Sequence, residues 1–279
     1  MPAISKDFNI AFIGGGNMAS AILSGLLKEG LTAQQVQVVE PFAEQAARLR
    51  SQFGVEVQAQ AGADLKRSTL VVWAVKPQIF REAAAQTGAH TRQALHLSVA
   101  AGIRSDSIAS WLDSERVVRA MPNTPALIGQ GITGLFARAA VTAADRTNVE
   151  AVVQSTGQQL WLAHEEQLDA VTALSGSGPA YVFYFIEAMT EAGQAMGLTQ
   201  AQSRQLAIAT FGGASALAAA SDEPPQTLRE RVTSKGGTTH AAITAMQASG
   251  IKAQFMEAMQ AARRRAAELG DEFGSAAKN

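Results

Sequence analysis

Three groups of residues in this chain have types and spacings suited to chemistry. Gly14, Gly16 and Ala19 stand in the order Gly-x-Gly-x-x-Ala, and Glu40 follows 21 residues after Ala19. Glycines at the first two positions allow a tight turn and let a pyrophosphate reach the backbone, and a small third residue lets a helix pack close to its strand. An acid about 20 residues further on is the group that binds adenosine ribose hydroxyls. The stretch 232–241, VTSKGGTTHA, sets two glycines and two threonines ahead of a helical pattern. Free N–H groups and hydroxyls at the positive end of a helix dipole suit a carboxylate, although an N-cap with no ligand accounts for the same residues. The stretch 174–181, LSGSGPAY, interrupts helical patterning with two serines, two glycines and a proline, which by themselves describe a helix–helix turn.

For the first of these chemistries to hold, the glycines must lie between a strand and a helix. Ile10, Phe12 and Ile13 read as a strand buried on both faces, ending at Gly14-Gly15-Gly16. Met18, Ile22 and Leu26 then recur every four residues, and Gly30 stands where a glycine closes a helix. Residues 36–39 predict a second strand with Glu40 at its end. Phe42, Ala46, Leu49 and Phe53 mark one face of the next helix, closed by Gly54 and followed by a short strand over 55–57. Strands over 69–75, 95–99 and 116–121 end in Lys76-Pro77, Ala100-Ala101-Gly102 and Pro122-Asn123-Thr124-Pro125. Weaker strands over 131–136 and 158–162, with a helix opening at Thr142 between them, extend the sheet.

This alternation implies an α/β fold: a Rossmann-type doubly wound, mostly parallel sheet whose ligands bind beyond the carboxyl ends of the strands. The loops GGGNM, AVKP, VAAG and MPNTP then converge on one crevice. Lys76 is placed either to touch a cofactor or, with Pro77, to make a structural turn. After Ala163 strand patterning stops, and helices are expected over 179–196, 200–219, 224–232, 240–249 and 252–269. Thr199 with Gln202 forms a capping box for the second of these, where Gly212-Gly213 permits close approach and a dimer contact is expected. The expected domains are residues 1–163, which bind a dinucleotide, and an all-α C-terminal domain over residues 164–279.

Composition narrows the remaining classes. The chain has 279 residues, 23 basic and 24 acidic, for a net charge of −1, with no cysteine. That balance leaves no electrostatic footprint for nucleic acid, and Arg263-Arg264-Arg265, in an alanine-rich helical stretch, reads as a solvated face. Disulfides, thiolate metal sites and cysteine nucleophiles are excluded. His90, His96, His164 and His240 have no ligand spacing, so no metal is expected. The opening MPAISKDFN lacks the apolar core of a signal peptide, and the apolar stretches are broken by Glu187 and Glu191 or too rich in alanine and glycine to span a membrane. A cytoplasmic protein without a membrane partner is expected.

GGGNMA at 14–19, AVKPQ at 74–78, MPNTPA at 121–126, LSGSGPAY at 174–181 and TSKGGTTHAAI at 233–243 together resemble the pyrroline-5-carboxylate reductases, in order and over nearly the whole chain. The resemblance implies reduction of the cyclic imine 1-pyrroline-5-carboxylate to L-proline, with NADPH or NADH as cofactor. It implies that Ile13, Gly14, Gly15, Gly16, Asn17 and Met18 hold the pyrophosphate, and that Ala74, Val75, Lys76, Pro77, Val99, Ala100 and Ala101 line the nicotinamide half. It also implies that Ser234, Gly236, Gly237 and Thr238 bind substrate together with Thr239, whose hydroxyl is the expected catalytic group and bonds the ring nitrogen. Family members form homodimers through intertwined helical domains, often assembled into decamers, with the active site at the dimer interface.

Reductases of the β-hydroxyacid dehydrogenase type share this plan but rely on a lysine in the first helices of the second domain. No lysine occurs between Ala163 and Ser234, which disfavours carbonyl reduction with lysine as the acid. Another imine or carbonyl reductase of the same architecture, or a non-catalytic dinucleotide sensor, are the alternatives. Three residues depart from the family pattern. Lys235 stands where proline is usual, and Ala61 lies near a position where many members have asparagine. Glu40 is acidic where a phosphate-binding version carries small or basic residues. An acid there would repel a 2′-phosphate, and the nearest base, Arg48, is a helix turn or two away, which leans to NADH against the family's frequent NADPH preference.

Overall fold

The computed structural model describes residues 8–275; residues 1–7, where no signal peptide is expected, lie outside them. Two compact units make up the chain. One runs to Gly176 and takes in the residues from Ala262 onward, and the other comprises residues Ser177–Ala261.

In the first unit, β1 (Ile10–Ile13), β2 (Val36–Val39), β3 (Glu56–Gln58), β4 (Leu70–Trp73), β5 (Leu95–Ser98), β6 (Val117–Met121), β7 (Gly131–Ala137) and β8 (Gly157–Trp161) form one sheet. Their order is β3-β2-β1-β4-β5-β6-β7-β8. Among the described residues only the β6–β7 pair is antiparallel, so the sheet is parallel-dominated, as a Rossmann-type fold requires. Its helices are α1 (Asn17–Lys28), α2 (Ala43–Phe53), α3 (Pro77–Thr91), α4 (Ser105–Leu112), α5 (Ala143–Gln154) and α6 (Gln167–Val171).

The central strands are buried along their whole length because helices cover both faces, and their side chains alternate between two cores. Phe12, Val72 and Leu97 pack with Ile22, Leu26 and Leu49 on one side. Ala11, Val71 and Trp73 pack with Phe80, Ile108 and Leu112 on the other. At the start of α5, Thr142 and Asp145 exchange side-chain-to-backbone hydrogen bonds at 3.0 and 3.1 Å, the capping box that fixes where the helix begins.

Two local expectations change. Phe42 does not join the buried face of α2. It is the N-cap residue, with extended backbone ahead of the helix that buries Ala46 and Leu49, and it is 71% exposed. The LSGSG stretch is no simple turn either, because α6 runs directly into a π-helical turn over Thr172–Gly176. That wider turn fits because two glycines leave room for neighbours. A Cβ on Gly134 would lie 2.9 Å from Val171 Cγ1, and one on Gly176 would lie 2.5 Å from Met121 Cε. A buried charge pair joins the same region, with Arg119 on β6 donating to Glu165 at 2.6 Å while Ser105 donates both its N–H and its hydroxyl to that carboxylate.

The second unit is helical: α7 (Gly178–Ala195), α8 (Gln200–Ala219), α9 (Pro225–Arg231), α10 (Thr238–Ala248) and the first part of α11 (Ile251–Ser275). The expected Thr199–Gln202 capping box opens α8. Gly193 on α7 lets Ser203 of α8 come within 2.5 Å of where a Cβ would sit, so these two helices approach closely. Tyr181 and Phe185 of α7 meet Phe255 of α11 edge-on, at 5.7 and 5.6 Å. Among the described residues no helix is long and apolar enough to cross a membrane.

One buried group in the sheet links stability to pH. Trp73 on β4 stacks on Phe80 and donates its indole N–H to Nδ1 of the fully buried His96 on β5, at 3.1 Å. Burial, with a smaller contribution from Arg116, pushes the His96 pKa down to about 4. The unfolded chain takes up a proton at His96 below a pH of about 6.5, whereas the fold does not until about 4. Stability is therefore lost as pH falls through that window, on the order of 3 kcal/mol in all. Urea unfolding is expected to register this loss. His96→Gln, which keeps an acceptor for Trp73 and does not titrate, is expected to flatten it; identical pH slopes for the two proteins would refute the assignment.

Candidate functional site

β1, β4, β5 and β6 lie side by side and parallel, so the loops after them leave the same edge of the sheet. The winding reverses between β1 and β4, the position at which such sheets open a ligand crevice. Backbone bonds carry the ladder past the strand ends: Ala74 N–H donates to Ile13 at 2.8 Å and Val99 N–H to Trp73 at 3.1 Å. The segment Ala74, Val75, Lys76, Pro77 is thus brought next to Ile13 and Gly14, and the segment Val99, Ala100, Ala101 follows on the next strand over, beside the end of β4. Lys76 is the N-cap of α3 and Pro77 its first residue, so this pair builds the start of a helix at the edge of the crevice.

Each glycine of the turn does a different job. Gly14 has φ +91°, and a Cβ there would lie 2.7 Å from the Ala74 carbonyl oxygen. Gly15 carries its carbonyl to the Gln45 side-chain amide at 2.5 Å and its N–H to Glu40 Oε2 at 2.9 Å, and a Cβ on it would collide with Leu49. Gly16 is the N-cap of α1, and the space where its Cβ would point is open. No side chain caps α1 and its first turn holds no acid, so the amides at Asn17 and Met18 and the positive dipole end are presented to that space. Ala19, buried beneath, allows the helix to pack down. A pyrophosphate fits this cradle, which is the requirement for NADH or NADPH.

Glu40, expected at the ribose, sits at the end of β2 with its carboxylate held on both sides. Oε2 accepts from Gly15 N–H and Oε1 from Phe42 N–H, each at 2.9 Å, and the residue is only 6% exposed. Sequence reasoning missed Gln45, although it lies one helical turn before Leu49 on the face turned toward Gly15. In the MPNTP loop, Asn123 Oδ1 accepts from Ile132 N–H at 3.0 Å, which ties the loop to β7.

Ser234, Gly236, Gly237, Thr238 and Thr239 belong to the second unit, between α9 and α10. Gly237 N–H donates to Ser234 O at 3.0 Å and Gly236 has φ +77°, as in a type II turn. Lys235 therefore occupies the first corner of that turn, where proline is favoured for its fixed φ. Gly237 caps α10 without a side-chain bond and the first turn holds no acid. The amide end is thus open to a carboxylate, with half-buried Thr239 beside it.

Comparison with known proteins agrees with these features. Residues 165–269 match the family model described as pyrroline-5-carboxylate reductase dimerisation, and residues 9–102 match one described as NADP oxidoreductase coenzyme F420-dependent. The chain is 43% identical to the pyrroline-5-carboxylate reductase of Pseudomonas aeruginosa, over 95% of this chain and 98% of that one. The chain belongs to the pyrroline-5-carboxylate reductase family. Among solved structures it is similar to a member from Coxiella burnetii, at 34% identity and a TM-score of 0.88, covering 95% of this chain and 99% of that one. It is also similar to Plasmodium falciparum pyrroline carboxylate reductase with NADP bound, at 26% identity and a TM-score of 0.85, covering 96% and 100%.

Membership accounts for the helical half as well. Phe183, Tyr184, Leu206 and Leu217 are each more than half exposed, and a groove of about 570 Å³ runs between α7 and α8. Apolar surface of this extent within a dimerisation segment means that the protein is a homo-oligomer.

The open space at Gly16 yields a test. Gly16→Ala is expected to change stability by no more than about 0.5 kcal/mol, since the methyl meets no protein atom. It is expected to weaken NADH and NADPH binding by about tenfold or more, because the methyl stands where the pyrophosphate approaches. Titration calorimetry reads this directly, and an unchanged Kd would move the pyrophosphate away from α1.

Proposed function

We propose that this chain reduces 1-pyrroline-5-carboxylate to L-proline with NAD(P)H, the final step of proline biosynthesis. The observation that carries the reading is the packing of Met121, in the MPNTP loop at the crevice edge, against Gly176 of the LSGSG turn, in a chain of this family. Residues 1–163 hold the cofactor, and residues 164–279 bind substrate and dimerise. The cofactor, when bound, supplies a hydride. The amides at Gly16, Asn17 and Met18 anchor its pyrophosphate, with Ile13, Gly14 and Gly15 shaping the turn. Ala74, Val75, Lys76, Pro77, Val99, Ala100 and Ala101 wall the nicotinamide half.

An imine nitrogen protonates readily near neutral pH, so the substrate arrives as an electrophilic iminium and no side-chain acid has to be built. What remains for the protein is placement. The amide end of α10, with Ser234, Gly236, Gly237 and Thr238, holds the substrate carboxylate, and the Thr239 hydroxyl bonds the ring nitrogen and orients it. Partners are this small molecule and further copies of the chain, as a homodimer with a contact through α8, where Gly212 and Gly213 permit close approach, and with dimers assembled into a decamer. No nucleic acid or membrane is involved, and the location is cytoplasmic.

The test is reduced-nicotinamide oxidation with 1-pyrroline-5-carboxylate, its six-membered homologue and a simple 2-keto acid in parallel. Turnover is expected on the five-membered imine alone, and Thr239→Ala is expected to lower kcat/KM on the order of 10²-fold, as loss of one oriented donor does. Tight cofactor binding without turnover on any of the three would replace the reductase reading with a sensor.

A further inference from the structure

We infer that Glu40 makes this chain prefer NADH, its carboxylate being fixed at the carboxyl end of β2 against the middle glycine of the fingerprint so as to accept a free ribose hydroxyl and reject a 2′-phosphate. The inference rests on the reductase reading above and deepens it by naming the cofactor.

Position comes first. β2 is the strand beside β1, and the acid at its end faces the adenosine half of a dinucleotide whose pyrophosphate lies on α1. Glu40 stays in that position because its two oxygens accept different backbone donors, Gly15 N–H and Phe42 N–H, each at 2.9 Å. The remaining backbone is also anchored, with Glu40 N–H donating to Gln58 O at 2.9 Å. The carboxylate therefore cannot swing away to make room for a phosphate without breaking two hydrogen bonds and opening the turn at Gly15. Each oxygen still has a lone pair available to a ribose hydroxyl, so the clamp blocks the phosphate and leaves the hydroxyl served.

Charge points the same way. A 2′-phosphate brings close to two negative charges beside a fixed carboxylate, and such juxtaposition is strongly unfavourable where both are partly desolvated. An NADPH site offsets the phosphate with an arginine. Here Arg50 donates to Val57 O at 2.6 Å and Arg67 pairs with Glu56 at 3.3 Å, so both are engaged at β3. Arg48 is exposed on α2.

The experiment compares NADH with NADPH in wild type, Glu40→Gln and Glu40→Ser, by kcat/KM with 1-pyrroline-5-carboxylate and by Kd from calorimetry. Glu40→Gln keeps the size, removes the charge and leaves one of the two backbone donors without its acceptor, and is the deciding variant; Glu40→Ser also clears space. Wild type is expected to favour NADH, and Glu40→Gln to move the ratio toward NADPH by about tenfold, with Glu40→Ser moving it further. A wild-type preference for NADPH, or a ratio that Glu40→Gln leaves in place, overturns the inference. Absence of turnover with either cofactor would refute the reductase reading instead, and the ratio of the two Kd values would still decide the role of Glu40.

Discussion

The close approach of Gly14 to the Ala74 carbonyl is the constraint on which the crevice depends. β1 and β4 are the neighbours between which the winding of the sheet reverses, and any side chain at Gly14 would force their ends apart. With the glycine in place, the ladder bonds Ala74 to Ile13 and Val99 to Trp73 extend one residue past the strands, so the loops depart from a continuous, stiff edge. Trp73, stacked on Phe80 directly below, fills the core beneath that edge. Rigidity at this point matters because the mechanism proposed, hydride transfer without a protein acid, depends on where groups are held.

Helix starts divide the work in a related way. α5 and α8 close their amide ends with threonine capping boxes and need nothing more. α1 and α10 put glycine at the N-cap, with no side-chain bond and no acid in the first turn. Left open, those ends favour anions, as the proposed pyrophosphate and substrate carboxylate require. Threonine at Gly16 would cap the helix at the expense of the ligand.

Most of the first unit was legible because strands buried on both faces must be continuous apolar runs, and their ends fell within a residue or two of expectation. α8 was legible from its capping box, down to its bounds. What stayed hidden was set by distant partners. Phe42 continues the four-residue spacing to Ala46 but precedes the helix, and periodicity alone does not mark the cap. The π turn at Thr172–Gly176 depends on room left by Gly134 and Gly176 beside Val171 and Met121, pairings that no local pattern encodes. The spacing of Glu40 announced an acid at the crevice, whereas its grip on Gly15 and Phe42 required the folded turn. The glycines and threonines at 236–239 announced an open helix end, and only the geometry at Gly236 explained how Lys235 fits a corner that favours proline.

The helical unit carries the remaining argument. From Leu206 to its end α8 has no charged residue, and only Ser203 and Ala207 of the helix are buried. A helix apolar on all sides has to be covered by something, either lipid or protein. Among the described residues no helix meets the length and hydropathy of a membrane span, and the segment matches a dimerisation family, so protein is the cover. Burial of α8 is then gained on association rather than on folding of one chain, and the order of this unit is linked to assembly by mass action. The turn at Gly236 and the amide end of α10 lie in that same unit, so the substrate-binding residues proposed here are stabilised by the contacts that make the oligomer.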